Sequence, residues 1–183
     1  MYVATGRELI DPFRLLERSG IRSGMSVADF GCGTLGHYVF PAARLVGKDG
    51  TVYAVDILKS VLSGIESRRK MESAHNVVTV WGDLERPNGV KIPDGTVDIG
   101  LLVNNLFLSR QQDELVRECA RMVKSGGTLV VVDWKPAGAT FGPEPSVRVS
   151  ADAAKQLVAA AGLTVGDDVE PGPYHWGFLA TKP

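Results

Sequence analysis

A glycine-rich segment that joins a strand-like run to a helix-like run constrains this sequence most. Residues 26–30 form a short, mostly apolar run, residues 31–36 read Gly-Cys-Gly-Thr-Leu-Gly, and a helix is predicted from about His37 to Val46. Glycine carries no Cβ, so the backbone can turn sharply there and approach a ligand closely. The segment therefore predicts an α/β protein that binds a ligand where its first strand ends.

Apolar runs of strand length alternate with longer amphipathic runs along the rest of the chain, which is typical of βαβ units. Further strands are predicted at 51–56, 77–81, 97–103, 128–134, 163–169 and 175–181. Other helices are predicted at 6–19, 59–74, 111–123 and 151–161, with Ser150 as the N-cap of the last. This order predicts a mostly parallel sheet with helices on both faces.

The length of 183 residues, 44% of them hydrophobic, indicates one globular domain over residues 1–183, with residues 1–20 as an N-terminal helical cap segment. Glu8 and Asp11 precede any apolar run of signal-peptide length, so we expect a cytoplasmic protein without a membrane span. Cys32 and Cys119 form no metal-ligand pattern, and neither a disulfide scaffold nor a metal site is predicted.

The charge composition indicates which class of molecule the protein binds. Twenty Lys and Arg residues against 21 Asp and Glu residues give a net charge of −1, without the overall basic footprint that is usual in nucleic-acid-binding proteins. We therefore expect a small-molecule substrate and no nucleic-acid partner.

Two acidic residues flank the glycine segment in sequence and indicate the kind of ligand. Asp29 lies two positions before the first glycine, where a carboxylate would repel the pyrophosphate of a dinucleotide, so it favours a cofactor with a positive group. Asp56 ends the second predicted strand, the position from which nucleotide-binding folds contact ribose hydroxyls. Together they favour a positively charged cofactor with an adenosine end.

Together with these residues, several further segments resemble the class I S-adenosylmethionine-dependent methyltransferases over nearly the whole chain. Residues 29–33, Asp-Phe-Gly-Cys-Gly, match their first motif, and Val55-Asp56 matches their acidic ribose contact. Gly82-Asp83-Leu84 is similar to their adenine-contacting motif. Residues 97–102 resemble their fourth strand, and residues 121–129 resemble their entry into strand five. The string 171–175, Pro-Gly-Pro-Tyr-His, is similar to that of the small ubiquinone and menaquinone biosynthesis type.

The resemblance implies a Rossmann-like three-layer sandwich with seven strands in the order 3-2-1-4-5-7-6, the last one antiparallel. It implies S-adenosyl-L-methionine as the cofactor. The cofactor-binding residues that we predict are Asp29, Gly31, Cys32, Gly33, Gly36, Asp56, Ile57, Gly82, Asp83, Leu84 and Asn104.

The acceptor is expected at the carboxyl ends of strands four and five, where open α/β sheets bind ligands. The predicted substrate-binding residues are His37, Asn105, Asp133, Trp134, Lys135 and His175, with Asn105, Lys135 and His175 as catalytic candidates and residues 2–13 as a roof. Many quinone-type members have a histidine after strand four, where this sequence has Asn104-Asn105-Leu106-Phe107.

The resemblance therefore implies a methyltransferase that acts on an unidentified small molecule. A sulfonium already activates the methyl group, so such a protein chiefly positions the acceptor. Three alternatives remain open: an RNA or protein methyltransferase, a non-catalytic protein that binds the cofactor, and a NAD-dependent oxidoreductase.

Overall fold

The computed structural model describes residues 9–183, and residues 1–8 of the predicted cap segment and acceptor roof lie outside the described residues. The helices are α1 (Pro12–Arg18), α2 (Val39–Val46), α3 (Lys59–Met71), α4 (Gln112–Met122) and α5 (Ala151–Ala160). The strands are β1 (Ser26–Phe30), β2 (Thr51–Asp56), β3 (Val77–Trp81), β4 (Val97–Val103), β5 (Val123–Trp134), β6 (Thr164–Gly172) and β7 (His175–Thr181).

One sheet contains all seven strands in the order β3-β2-β1-β4-β5-β7-β6, which confirms the predicted order. β1, β2, β3, β4 and β5 are parallel to one another, and β7 runs antiparallel to its neighbours β5 and β6. The carboxyl ends of β1, β2 and β4 therefore meet at one edge, which is where an open parallel sheet binds its ligand.

Two apolar layers enclose the sheet. Side chains of α1, α2 and α3 pack on one face, and those of α4 and α5 pack on the other. The central residues Val130, Val131 and Val132 of β5 have no exposed surface, as expected for an apolar run buried on both faces. The three-layer Rossmann-like architecture is thereby confirmed.

Local signals explain the starts of two helices. Asp11 caps α1 by accepting the amide protons of Phe13 and Arg14, and Pro12 occupies the first turn, where its missing N–H costs nothing. The predicted Ser150 cap of α5 is confirmed, because its hydroxyl oxygen accepts the amide proton of Ala153.

Several predicted bounds were wrong. α2 begins at Val39 rather than His37, and α3 ends at Met71 rather than Ala74 because the backbone turns at Ser73, which has φ +51°. β5 begins five residues early, since Val123 already pairs with Val97 before a register shift in β4. β6 extends to Gly172, beyond the predicted end at residue 169.

Candidate functional site

The glycine segment turns the chain sharply at the end of β1. Gly31 and Gly33 have φ of +78° and +63°, and the amides of Gly31 and Cys32 both donate to the carbonyl of Val55 in β2. A Cβ on Gly31 would lie 2.3 Å from Oδ1 of Asn105, whereas one on Gly33 would meet no atom within 4 Å. Gly31 is therefore required for packing, and the open space beside Gly33 is left for a ligand.

Asp56 connects this turn to the end of β2. Its Oδ2 accepts the amide proton of Gly33 at 3.2 Å, and its Oδ1 accepts that of Leu58 at 2.9 Å. The side chain faces a large cavity of about 700 Å³ beside the glycine segment. The carboxylate is therefore fixed by backbone donors in the position predicted for a ribose contact.

Most predicted cofactor residues line this large cavity. They are Gly31, Gly33, Asp56, Ile57, Gly82, Asp83, Leu84 and Asn104. Asp83 is held by the amide of Glu85 at 3.0 Å and by the Arg86 side chain at 3.0 Å. The aliphatic side chains of Leu58 and Leu108 line the same cavity although both residues are more than half exposed, which suits the faces of a flat aromatic ring.

A small cavity of about 220 Å³ adjoins the large one, and both are lined by Gly31, Val103 and Asn104. The predicted residues Asp29, Cys32 and His37 line the small cavity together with Ile10 and Tyr38. Gly36 packs nearby, where a Cβ would lie 2.7 Å from the side chain of Ile65. Ten of the eleven predicted cofactor residues therefore line these two cavities, and Gly36 lines neither.

Two hydrogen-bond acceptors in the small cavity have no partner among the described residues. Oδ2 of Asp29 and Oδ1 of Asn104 are both buried without a hydrogen bond. Burial, and then the nearby Asp56, raise the pKa of Asp29 to about 7. Buried polar atoms rarely lack a hydrogen-bond partner. We therefore expect the small cavity to bind a ligand that donates hydrogen bonds or carries positive charge.

The structure distributes the predicted acceptor residues over three places. His37 lines the small cavity, and its Nε2 is 3.2 Å from the carbonyl oxygen of Ile10. Asn105 lines the large cavity, and its Nδ2 donates to the carbonyls of Phe30 and Val103. An amide accepts no proton at neutral pH, so Asn105 positions the turn and is not a general base.

The other four predicted acceptor residues, Asp133, Trp134, Lys135 and His175, line neither cavity. Asp133 is fully buried and accepts the amide protons of Leu106 and Trp134, and burial raises its pKa to about 6. Lys135 is exposed, and its Nζ donates to the carbonyl of Pro173. Their roles at an acceptor site stay a prediction.

Comparison with known proteins identifies the family. Residues 21–162 match the family described as a methyltransferase domain. The chain belongs to this family. The predicted enzyme class, the resemblance to class I S-adenosylmethionine-dependent methyltransferases and their cofactor are confirmed at the level of the family.

Individual relatives agree with the family. This methyltransferase is 33% identical over 129 residues to the ubiquinone/menaquinone biosynthesis C-methyltransferase of Azotobacter vinelandii, covering 69% of this chain and 49% of the relative. The chain thus spans about half the length of that relative. A SAM-dependent methyltransferase from Aquifex aeolicus superposes with a TM-score of 0.88 at 28% identity, over 97% of this chain and 92% of the other.

The fold alone does not define the reaction. The [4+2]-cyclase SpnF superposes on this methyltransferase with a TM-score of 0.78 at 19% identity, over 94% of this chain and 79% of the other.

In residues 9–183, no helix is long and apolar enough to cross a membrane, and no group of His, Cys, Asp or Glu side chains is arranged for a metal ion.

Sequence reasoning missed several residues that line the two cavities of this methyltransferase: Thr34, Leu58, Glu85, Leu108, Ser109 and Tyr38. Leu108 lies in a short 3-10 helix, Leu106–Leu108, that was not predicted. The sequence offered only a weak signal for it, a leucine five positions after the end of β4.

Proposed function

We propose that this chain transfers a methyl group from S-adenosylmethionine to a small-molecule acceptor. The observation that carries the proposal is the pair of unpartnered acceptors, Asp29 Oδ2 and Asn104 Oδ1, in a cavity next to the glycine segment. The pyrophosphate of a nicotinamide dinucleotide would be repelled by Asp29, whereas a cofactor with an ammonium and a sulfonium would be attracted.

The residues present fit such a cofactor at both ends. In the large cavity, Asp56 would accept hydrogen bonds from the ribose hydroxyls, and Asp83 would contact the adenine ring. In the small cavity, Asp29 and Asn104 would accept the protons of the amino-acid ammonium group. S-Adenosylmethionine supplies an activated methyl group when bound. The chain then has to orient an acceptor and exclude water.

A nucleophile that carries a proton also needs a base. Of the predicted catalytic candidates, Lys135 and His175 have groups that accept a proton when neutral, whereas Asn105 does not. Burial, and then the charges of Lys135 and Arg148, lower the pKa of His175 to about 4, so its imidazole is neutral at pH 7. We therefore prefer His175 to Lys135 as the acceptor-side base.

Calorimetry with S-adenosylhomocysteine and with NADH tests the cofactor. We expect S-adenosylhomocysteine to bind with a dissociation constant in the micromolar range, about −8 kcal/mol, and NADH to show no binding. Tighter binding of NADH would contradict the proposal. Binding without turnover of any acceptor would support the alternative of a non-catalytic binding protein.

The names of the relatives indicate which acceptors to test first. The relative from Azotobacter vinelandii is described as a ubiquinone/menaquinone biosynthesis C-methyltransferase. We therefore propose a demethylated quinol with a short side chain as the first substrate, and expect a gain of one methyl group by mass spectrometry. Methylation of an RNA or of a protein substrate instead would overturn the choice of a small molecule.

A further inference from the structure

His175 is a buried histidine whose ring makes no hydrogen bond to the described residues. It begins β7 opposite Trp134 of β5, it is 1% exposed, and neither ring nitrogen has a partner among the described residues. Its ring centroid lies 4.3 Å from that of Trp134. An imidazole contains both a donor and an acceptor, so leaving both unused inside a protein is unfavourable and indicates an absent partner.

The strand register places this histidine beside the candidate site. Val103, which lines both cavities, is paired with Val132 of β5. Trp134 is two residues further along β5 and shares a sheet face with Val132, and His175 lies directly opposite Trp134. His175 and Trp134 are therefore the next side chains along the face that contains the small cavity.

Residues 136–147, here called the gate loop, contact Trp134 of this pair and Tyr174, the residue before His175. Gly142 of the loop packs against the Trp134 ring so closely that a Cβ there would lie 2.8 Å from the indole. The Phe141 ring meets the edges of two other rings, with centroids 5.9 Å from that of Trp134 and 4.8 Å from that of Tyr174. Aromatic rings thus form one set of contacts between the loop and the rest of the protein.

A single side chain holds the gate loop together. The Arg148 guanidinium donates to the carbonyls of Pro143 at 2.8 Å, Phe141 at 3.1 Å, Lys135 at 3.2 Å and Ala139 at 3.4 Å, and it lies 5.7 Å from the centre of the Trp134 ring. These bonds connect the two ends of the loop to its middle. The loop contains one short 3-10 helix, Pro145–Val147, so losing Arg148 would release it.

We propose that the gate loop opens locally, that Arg148 is the latch that keeps it closed, and that opening exposes His175 and Trp134 to the methyl acceptor. This inference rests on the proposed function. An open loop would offer the acceptor an indole face and a neutral imidazole, which can bind a hydroxyl or a carbonyl oxygen. The ring nitrogens of His175 would then form hydrogen bonds with the acceptor, which they do not form with the described residues of the closed protein.

Chemical labelling of histidine tests the opening in the unaltered protein. Diethyl pyrocarbonate reacts with neutral imidazoles, and mass spectrometry separates the labelled peptides of His75, which is exposed, from those of His175. We expect His75 to react at once and His175 to react slowly, at a rate that does not change with urea below the unfolding transition. Local opening exposes little surface, so labelling through it depends little on urea. Global unfolding exposes much more surface, so labelling through it becomes faster as urea is added. A His175 rate that rises with urea in parallel with global unfolding would overturn the gate.

Two substitutions loosen the loop at separate points. Arg148→Met removes the four hydrogen bonds and keeps the aliphatic stem, and Gly142→Ala places a Cβ against Trp134 at a φ of +85°. We expect both to increase the His175 labelling rate at least tenfold and to leave that of His75 unchanged. Arg22→Met is the matched control, because Arg22 is an exposed arginine far along the chain from the loop. Unchanged His175 labelling in both loop variants would overturn the latch.

A binding measurement separates this inference from the proposed function. Arg148→Met should bind S-adenosylhomocysteine as tightly as the unaltered protein, because Arg148 lines neither cavity. If neither protein binds it, the proposed function fails while labelling still decides whether the loop opens. If only the variant loses binding, the loop supports the cofactor site and the acceptor gate is wrong.

Discussion

Asp29 and Asp56 flank the glycine segment in sequence but have different surroundings in the protein. Both oxygens of Asp56 accept backbone amide protons, whereas Oδ2 of Asp29 is buried without a partner. Asp56 is therefore fixed before any ligand arrives. A positively charged ligand would stabilise the ionised form of Asp29, because it would compensate the buried charge of this carboxylate.

Replacing Asp56 tests its contact with ribose. Asp56→Ala removes a charged hydrogen-bond acceptor, at about 1.5–3 kcal/mol for each bond and partly compensated by water, so we expect the affinity for S-adenosylhomocysteine to fall about 10- to 100-fold. Calorimetry measures this loss. Asp49→Ala, at an exposed turn, is the control and should bind normally. Equal affinity of the two variants would remove Asp56 from the binding site.

Asp29 should make the stability of the ligand-free protein depend on pH. Its pKa of about 7 in the folded protein exceeds its ordinary value of 3.8, so the folded state holds the proton more tightly and stability falls as pH rises from about 4 to about 7. Relative to Asp29→Asn, the wild-type protein should lose on the order of a few kcal/mol over this range. Urea denaturation at several pH values measures it, and parallel pH curves for the two proteins would show that Asp29 is ionised throughout.

At the scale of elements, α4 holds the segment that supports Asp83. Glu118 of α4 is buried, accepts the amide protons of Asn88 and Val90, and pairs with Arg121. Burial alone would raise the pKa of Glu118, but the bonds from Arg121 and from the two amides lower it overall. Gly89, inside the supported segment, accepts the amide proton of Asp83. The helix thereby fixes one wall of the large cavity.

Two arginines of α4 allow a matched test of this support. Arg121→Met leaves the buried carboxylate of Glu118 without its cation and should cost about 3–5 kcal/mol of unfolding free energy. Arg117→Met removes only exposed pairs with Asp113 and Glu114 and should cost less than about 1 kcal/mol. Chemical denaturation compares them. Similar losses would mean that the buried pair contributes no more than a surface pair.

Particular elements show how far the sequence determined this structure. The bounds of β1, β2, β3 and β4 match the prediction, because each is an apolar run ended by glycine, asparagine or a charged residue. The order of the strands came from family resemblance, since parallel crossovers leave no local pattern. The contacts of Glu118 and Arg148 were not predicted, because their partners are backbone groups, which any residue provides.

At the scale of the whole molecule, ligand binding should raise thermal stability. A ligand at about 100 times its dissociation constant stabilises the folded state by about 2.7 kcal/mol. For a chain of this size that corresponds to an increase of roughly 5–10 °C in Tm. Scanning calorimetry with S-adenosylhomocysteine measures it, with NADH as the negative control. A shift of the same size in Asp56→Ala would indicate binding elsewhere.

The contact between Leu9 and Gly172 joins residues that are 172 − 9 = 163 positions apart. A Cβ on Gly172 would lie 2.0 Å from the carbonyl oxygen of Leu9, which itself lines the small cavity. During synthesis, the ribosome delivers Leu9 long before the β6–β7 hairpin against which it rests. The wall of the small cavity therefore forms only after the last strands have emerged, and a nascent chain that stalls before β6 would contain the glycine turn without a closed cavity beside it.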